Sequence, residues 1–313
     1  MKKDKIITIV IPTFNEEDNI GTDYTRIKAV FDEKLPNYDW HILFVDNYST
    51  DRTRIEIEKL CEMDKRVQAI FNGKNYGYTR SSFNGLISAD GDAVVLLYAD
   101  LQDPPEVIPE FVSLWEKGHT VVCGQKRSNK ESVLVEAARK MYYKILDKIS
   151  ENGHISQYNG FGLYDRSFIQ VLASIEDPMP YLRGIVAELA PNIGIIPYDH
   201  EVRKKGNSKF SFYKLLDYSL FGITSTSKIA MRLASIIGIF MAMLCFVIAI
   251  VTFIMKLIYW DNYPVGTAAI IIGIFFIGAI QLIFIGILGE YVTNMNIRIL
   301  KRPLIIEEKR INC

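Results

Sequence analysis

The chain has 313 residues and no net charge, with 36 basic and 36 acidic side chains, so it is long enough for a large core and carries no basic stripe of the kind that binds nucleic acid. Its four cysteines, Cys61, Cys123, Cys245 and Cys313, are far apart and form no CxxC pair, which argues against a zinc site or a disulfide framework. The charge is unevenly placed: residues 200–232 hold seven basic side chains against two acidic ones, an excess suited to lipid headgroups or phosphate.

In chain order, the N-terminal KIITIVIP is a predicted buried strand. It lacks a small-residue cleavage site and ends in Pro and acids, so it is not a signal peptide. EEDNIGTDYTRIKAVFDEKL follows as a helix, with Ile20, Tyr24, Ile27 and Phe31 spaced three or four apart. WHILFVDN and VQAIFN are further strands, separated by the helical DRTRIEIEKLCEMD. GYTRSSFNGLISA is a third helix and VVLLYAD a fourth strand. Repeated strand–helix units predict an α/β domain with a mostly parallel sheet covered by helices.

Two later runs carry no charge: Ser235–Met255, of 21 residues, and Val265–Leu288, of 24. Each can cross a hydrocarbon core of about 30 Å. Tyr259, Trp260 and Tyr263 lie between them, as aromatics do at membrane interfaces. Lys228 and Arg232 precede the pair, and Arg298, Lys301 and Arg302 follow it. The positive-inside rule then predicts a C-terminal two-helix transmembrane hairpin with both flanks cytoplasmic. Gly273, Gly278, Gly286 and Gly289 permit close helix contact, which suggests a homo-oligomer, a dimer or tetramer. The expected organisation is a cytoplasmic domain at 1–209, amphipathic interfacial helices at 210–232, the two spans within 233–290 (about 235–255 and 265–288), and a cytoplasmic tail at 291–313.

Ligands of open α/β sheets bind at the C-terminal ends of the strands. That rule selects Pro12–Glu16, Asp46–Asn47, Asn72–Gly77 and Asp100–Asp103. No GxGxxG follows the first strand and no GxxxxGKS occurs, so neither dinucleotide nor P-loop chemistry is supported. Asp46 is placed to accept hydrogen bonds from a ribose or base. Asp100, with Gln102 and Asp103, is placed to hold Mg²⁺ or Mn²⁺, which take oxygen ligands and share them with phosphates. Against this, Asp103 before Pro104 and Pro105 also reads as a helix cap.

These motifs together resemble the family-two, GT-A-fold glycosyltransferases that act on polyprenyl phosphates, including bactoprenyl glucosyl transferases and dolichyl-phosphate mannose synthases. IVIPTFNEEDNI, FVDNYSTDRT, KNYGYTRSSFNGLISADGD and YADLQDPPE carry the resemblance, as do GEYV and KRPLII after the second apolar run. It implies a nucleotide-sugar donor contacted by Pro12, Asn15, Glu16, Asp46, Asn75, Gly77, Gln102 and Ser208. It also implies a metal on Asp100 and Asp103, and a polyprenyl phosphate acceptor oriented by Arg203 and Lys209. The implied reaction inverts the anomeric carbon at the inner membrane, in a multi-pass protein whose catalytic domain faces the cytoplasm. UDP-glucose is the first choice of donor.

Several positions depart from the family pattern. Tyr98 stands where the first metal Asp is usual, and Asn47 where a second Asp is common. In NGFGLYDR, Gly160 replaces an Asp and Gly162 an Arg; His200 occupies the first arginine position of the later motif, while Arg203, Ser208 and Lys209 are retained. The alternative expectation is a degenerate, non-catalytic membrane partner that keeps the fold.

Overall fold

The structure, a computed structural model, describes residues 5–127, 155–200, 267–299 and 302–313, with scattered helical positions between 238 and 258. The alternation expected at the start is present: β1 (Ile6–Thr13), α1 (Ile20–Lys34), β2 (Asp39–Asp46), α2 (Thr53–Met63), β3 (Val67–Asn72), α3 (Tyr78–Ser88) and β4 (Ala93–Leu96). A short 3₁₀ turn at Pro105–Val107 leads into α4 (Ile108–Glu116) and β5 (Val121–Lys126). Then come β6 (Tyr158–Asp165), α5 (Arg166–Ala173), α6 (Leu182–Leu189) and β7 (Ile193–Tyr198). The described chain ends with α7 (Thr267–Ile299) and β8 (Glu307–Ile311).

The eight described strands form one sheet in the order β7-β5-β6-β4-β1-β2-β3-β8. It is mixed, which corrects the expectation of a mostly parallel sheet. The run β4-β1-β2-β3 is parallel, as is β5 with β7, but β6 is antiparallel to both β4 and β5 and β8 is antiparallel to β3. The reversal of β6 matters for function. An antiparallel neighbour starts where its partners end, so Tyr158–Gly160 open at the same edge as the C-terminal ends of β1 and β4.

Apolar side chains alternate onto both faces of the sheet and make two cores. One packs Ile20, Ile27 and Phe31 of α1, Ile57 of α2 and Phe111 of α4 against Ile9, Phe44 and Phe71. The other packs Phe83 and Leu86 of α3, Phe168 of α5 and Val186 of α6 against Val10, Val45 and Leu96. The helical spacing of α1 is therefore met, with Tyr24 at the rim of its core.

The C-terminal part differs from the sequence expectation. Among the described residues, one helix is long and apolar enough to cross a membrane: α7, whose Phe276–Thr293 stretch has a mean hydropathy of 1.8. Among the described residues, the expected hairpin of two crossing helices is not found. The second expected span ends near Leu288, but the helix continues through Glu290 to Ile299. Of the first run, only scattered helical positions are among the described residues. α7 is apolar around its circumference, with Ile274, Phe276, Ile277 and Leu282 exposed on different sides, as in a helix whose surroundings are themselves apolar. Residues 307–311, read from sequence as tail, return to the sheet as β8 on the free edge of β3.

Candidate active site

A cavity of about 430 Å³ opens at the C-terminal ends of β1, β2 and β4. That is the edge where ligands of α/β sheets bind. Pro12 and Glu16 line it from β1 and the turn beyond, Asn47 from the end of β2, Tyr98, Asp100 and Gln102 from the loop after β4, and Asn159 from the start of β6. Tyr78 and Ser81 of α3 and Arg183 of α6 complete the wall.

The turns after β1 and β2 are tied to each other. Thr50 N donates to Asn15 Oδ1 at 2.8 Å, Asn15 N donates to Ser49 Oγ at 2.9 Å, and Glu16 N donates to Thr53 Oγ1 at 2.8 Å. Asn15 takes a positive φ of 55°, a conformation that Asn tolerates better than most residues. Asn15 thus shapes the wall. Glu16 reaches the cavity, and its carboxylate also accepts from Asn19 Nδ2 at 2.7 Å.

Asp46 lies beneath this wall, and its neighbour Asn47 forms the cavity lining. Asp46 is fully buried, accepts from Ser49 N at 3.1 Å, and lies 3.6 Å from Arg54 Nε. Burial pushes its carboxyl above the ordinary value of 3.8, and the Ser49 hydrogen bonds and the Arg54 charge oppose that rise. Asn47 is the hub of the next turn. Its Nδ2 donates to Asn75 Oδ1 at 2.9 Å, and its Oδ1 accepts from Tyr76 N at 2.9 Å and from Asn72 Nδ2 at 3.2 Å. Asn75 Oδ1 also accepts from Gly77 N at 2.9 Å. Asn75 and Gly77 therefore hold Asn47 in place from the loop after β3.

Asp100 and Asp103 are brought close in sequence but into different surroundings. Asp100 lines the cavity and accepts from Gln102 N at 3.2 Å across Leu101, which has φ 57°. Asp103 is 2 % exposed and is bound from several sides. Tyr198 Oη and Asn159 Nδ2 donate to it, the latter at 2.9 Å, while Lys126 Nζ and His200 Nε2 lie 3.8 and 3.7 Å away. Lys126 Nζ is itself 2.6 Å from His200 Nε2. Burial and the Asp103 charge both push the Tyr198 phenol far above its usual range, so Tyr198 stays a hydrogen-bond donor. Asp103 is thus the anchor that fastens the loop after β4 to β5, β6 and β7.

Arg203, Ser208 and Lys209 lie outside the described residues. Sequence reasoning did not select Asn159, Arg183, Lys126 or Tyr198. Asn159 immediately precedes the departing NGFGLYDR glycine and was open to detection there. The others come from elements whose neighbours are decided by sheet order.

Among the described residues, no three or more His, Cys, Asp or Glu side chains cluster to hold a metal. The cavity offers Asp100 and the Gln102 amide, a small oxygen set. Such a set fits a hard divalent cation that takes its remaining oxygens from a diphosphate and water, and it does not fit a cage made by protein alone.

The sequence profile of glycosyl transferase family 2 matches residues 8–173. The chain belongs to glycosyl transferase family 2. The match spans β1 through α5 and so covers every cavity wall except the one Arg183 supplies. The glycosyltransferase is 33 % identical over 305 residues to the SfII prophage-derived bactoprenol glucosyl transferase of Shigella flexneri, covering 97 % of each chain. It is 32 % identical over 299 residues to the prophage bactoprenol glucosyl transferase homolog of Escherichia coli K12, covering 95 % of this chain and 96 % of that one. In fold it resembles glucosyl-3-phosphoglycerate synthase from Mycobacterium tuberculosis, solved with Mn²⁺, uridine diphosphate and phosphoglyceric acid. The TM-score is 0.51 at 20 % identity, over 71 % of this chain and 78 % of that one. The family-two GT-A assignment made from the motifs is therefore correct, with the sheet mixed as described.

Proposed function

We propose that this glycosyltransferase moves a sugar from a nucleoside diphosphate onto a polyprenyl phosphate at the membrane surface, with inversion at the anomeric carbon. One observation carries the reading. The similarity to bactoprenol glucosyl transferases runs over 97 % of the chain and so includes the apolar α7 as well as the transferase sheet. The nucleoside end of the donor lies along the Pro12–Glu16 and Asn47 walls, and the diphosphate lies toward Asp100 and Gln102. Mg²⁺ or Mn²⁺ on those two side chains would offset the charge of the departing diphosphate. Asp103 holds the loop on which both sit, and Arg183 adds a positive charge to the sugar end of the cavity. Arg203 and Lys209 orient the acceptor phosphate, with Arg suited to a bidentate grip.

An acceptor oxygen bonds to the anomeric carbon as the bond from that carbon to the diphosphate oxygen breaks. A phosphate monoester has its second ionisation near about pH 6, so at neutral pH the nucleophile is already a dianion. It needs no strong general base, and the missing carboxylate at Gly160 is then no bar to catalysis. UDP-glucose is the first donor to test, because the relatives are glucosyl transferases. The reading includes a cytoplasmic-membrane protein, with α7 as its described span, whose sheet faces the cytoplasm and which works as a homo-oligomer. It is supported by α7 and by the basic excess at 200–232. The second reading, a non-catalytic partner that keeps the fold, is favoured by Tyr98 and Gly160 standing where carboxylates are usual.

The deciding experiment supplies purified protein in lipid or micelles with labelled nucleotide sugars in turn, undecaprenyl phosphate, and Mg²⁺ or Mn²⁺. The expected result is an organic-extractable product from one donor, released by mild acid. Arg203→Ala should lower efficiency at limiting lipid phosphate by about ten- to a hundredfold, the loss of one charge-assisted bond. No lipid product from any donor would hand the case to the non-catalytic reading.

A further inference from the structure

The edge strand β8 does more than cover β3. Ile306, just before it, accepts from Gly73 N at 3.0 Å and donates its own N–H to Tyr76 Oη at 3.2 Å. Both partners belong to the turn whose Asn75 and Tyr76 grip Asn47. Glu308 meets Arg54 Nη2 at 2.8 Å, and Arg54 Nε in turn lies 3.6 Å from the buried Asp46. The Arg54 guanidinium is also 4.9 Å from the Phe71 ring centre, at the end of β3. Farther along, Lys309 pairs with Glu58 at 3.0 Å, and Asn312 Nδ2 reaches the Cys61 and Val67 carbonyls at 2.8 Å each. Two routes from one short strand thus arrive at Asn47, one through the turn after β3 and one through Asp46 beside it.

That strand begins a few residues after α7 ends. We propose that β8 is a positioning strand for the donor cavity, with Glu308 acting through Arg54 on Asp46 and Tyr76 acting through the 73–77 turn. The proposal rests on the transferase reading in so far as the cavity takes a nucleotide. A strand that only protects a sheet edge needs its backbone ladder and nothing else. The Glu308 and Tyr76 contacts are made by side chains outside that ladder, and they converge on one cavity residue. None of Glu308, Arg54 and Tyr76 lines the cavity. They are positioning residues.

The test uses the full chain and two variants that keep the ladder, Glu308→Gln and Tyr76→Phe. Uridine diphosphate with Mg²⁺ is the binding probe. Each variant is expected to raise its Kd and the donor KM about three- to tenfold, with kcat within about twofold. Glu308→Asp, which keeps the charge, should recover part of the loss. Amide hydrogen exchange at 47–50 and 73–77 should quicken in both variants, while β1 and β2 stay protected. Unchanged exchange in those turns would overturn the proposal, as would wild-type binding in both variants. If the wild-type protein binds no nucleotide, the transferase reading fails, and exchange alone still decides whether β8 holds the turns.

Discussion

A side chain at position 160 would put its Cβ 2.8 Å from Oη of Tyr98. That hydroxyl donates to the Asn159 carbonyl at 3.0 Å, and Gly160 takes a φ of 115°. The two departures from the family pattern are therefore one structural event. The phenol occupies the room that a residue at 160 would need, and the glycine supplies a backbone that other residues rarely adopt. Tyr164 Oη fixes the arrangement from below by donating to the Gly160 carbonyl at 2.6 Å.

Gly160→Asp alone is expected to destabilise the fold by about 1–3 kcal/mol, from the strained φ and the contact with Tyr98. Tyr98→Asp combined with it should recover the contact part, giving a coupling of about 0.5–3 kcal/mol. Urea unfolding of the two single variants, the double variant and the parent measures it. Strict additivity would mean the two positions are independent.

Gly162 is a harder constraint. A Cβ there would lie 2.3 Å from the Val122 carbonyl oxygen, across the β5–β6 ladder. Backbone cannot step aside as a side-chain tip can. Gly162→Ala should lower stability by about 1–3 kcal/mol or prevent folding, and the larger Gly162→Arg should do so more severely. Thermal melts of both variants check the order.

Asp100 and Asp103 should separate by phenotype. Asp100→Asn leaves the fold intact, because its carboxylate faces the cavity, and should lower sugar transfer by at least about a hundredfold if it holds the cation. Asp103→Asn keeps the shape but presents an amide where four donors or cations converge. It should cost about 1–3 kcal/mol of stability. Tyr98→Phe should keep most activity. Thermal melts alongside turnover assign each residue, and equal stability loss in both Asp variants would refute the division.

Asp23 predicts a pH dependence. It is buried on α1 with Oδ2 unpartnered, and burial raises its pKa well above the ordinary 3.8, with Arg26 opposing and Asp100 and Glu16 adding to the rise. A raised acid pKa means the folded state holds a proton that the unfolded chain releases. The stability from this group is complete below the unfolded value and is lost as pH rises through the folded one. Asp23→Asn should therefore be more stable than the parent by about 1–3 kcal/mol at pH 8, with the gap closing toward pH 4. Denaturant unfolding across that range tests the sign, and a gap that widens in acid would refute it.

The local pattern of the chain determined a good deal by itself. Alternating apolar runs and three-to-four spacing defined β1 through β4 and α1 through α3, because those periods depend only on which neighbours share a face. Strand-end residues such as Glu16, Asp100 and Gln102 were identifiable as cavity candidates, because ligands collect where parallel strands end. What the sequence left undecided was every relation between distant segments. The antiparallel insertion of β6 between β4 and β5 brings Asn159 and Gly160 to the mouth, and no local period encodes sheet order. Asp46 and Asp103 could be picked out as strand-end carboxylates, but one dimension could not give their surroundings. Packing buried the first under Asn47 and surrounded the second with Tyr198, Asn159, Lys126 and His200. Glu307–Ile311 carries too few apolar residues to announce a strand. It becomes one because β3 offers an unpaired edge whose backbone groups need partners, and only the folded sheet brings that edge within its reach.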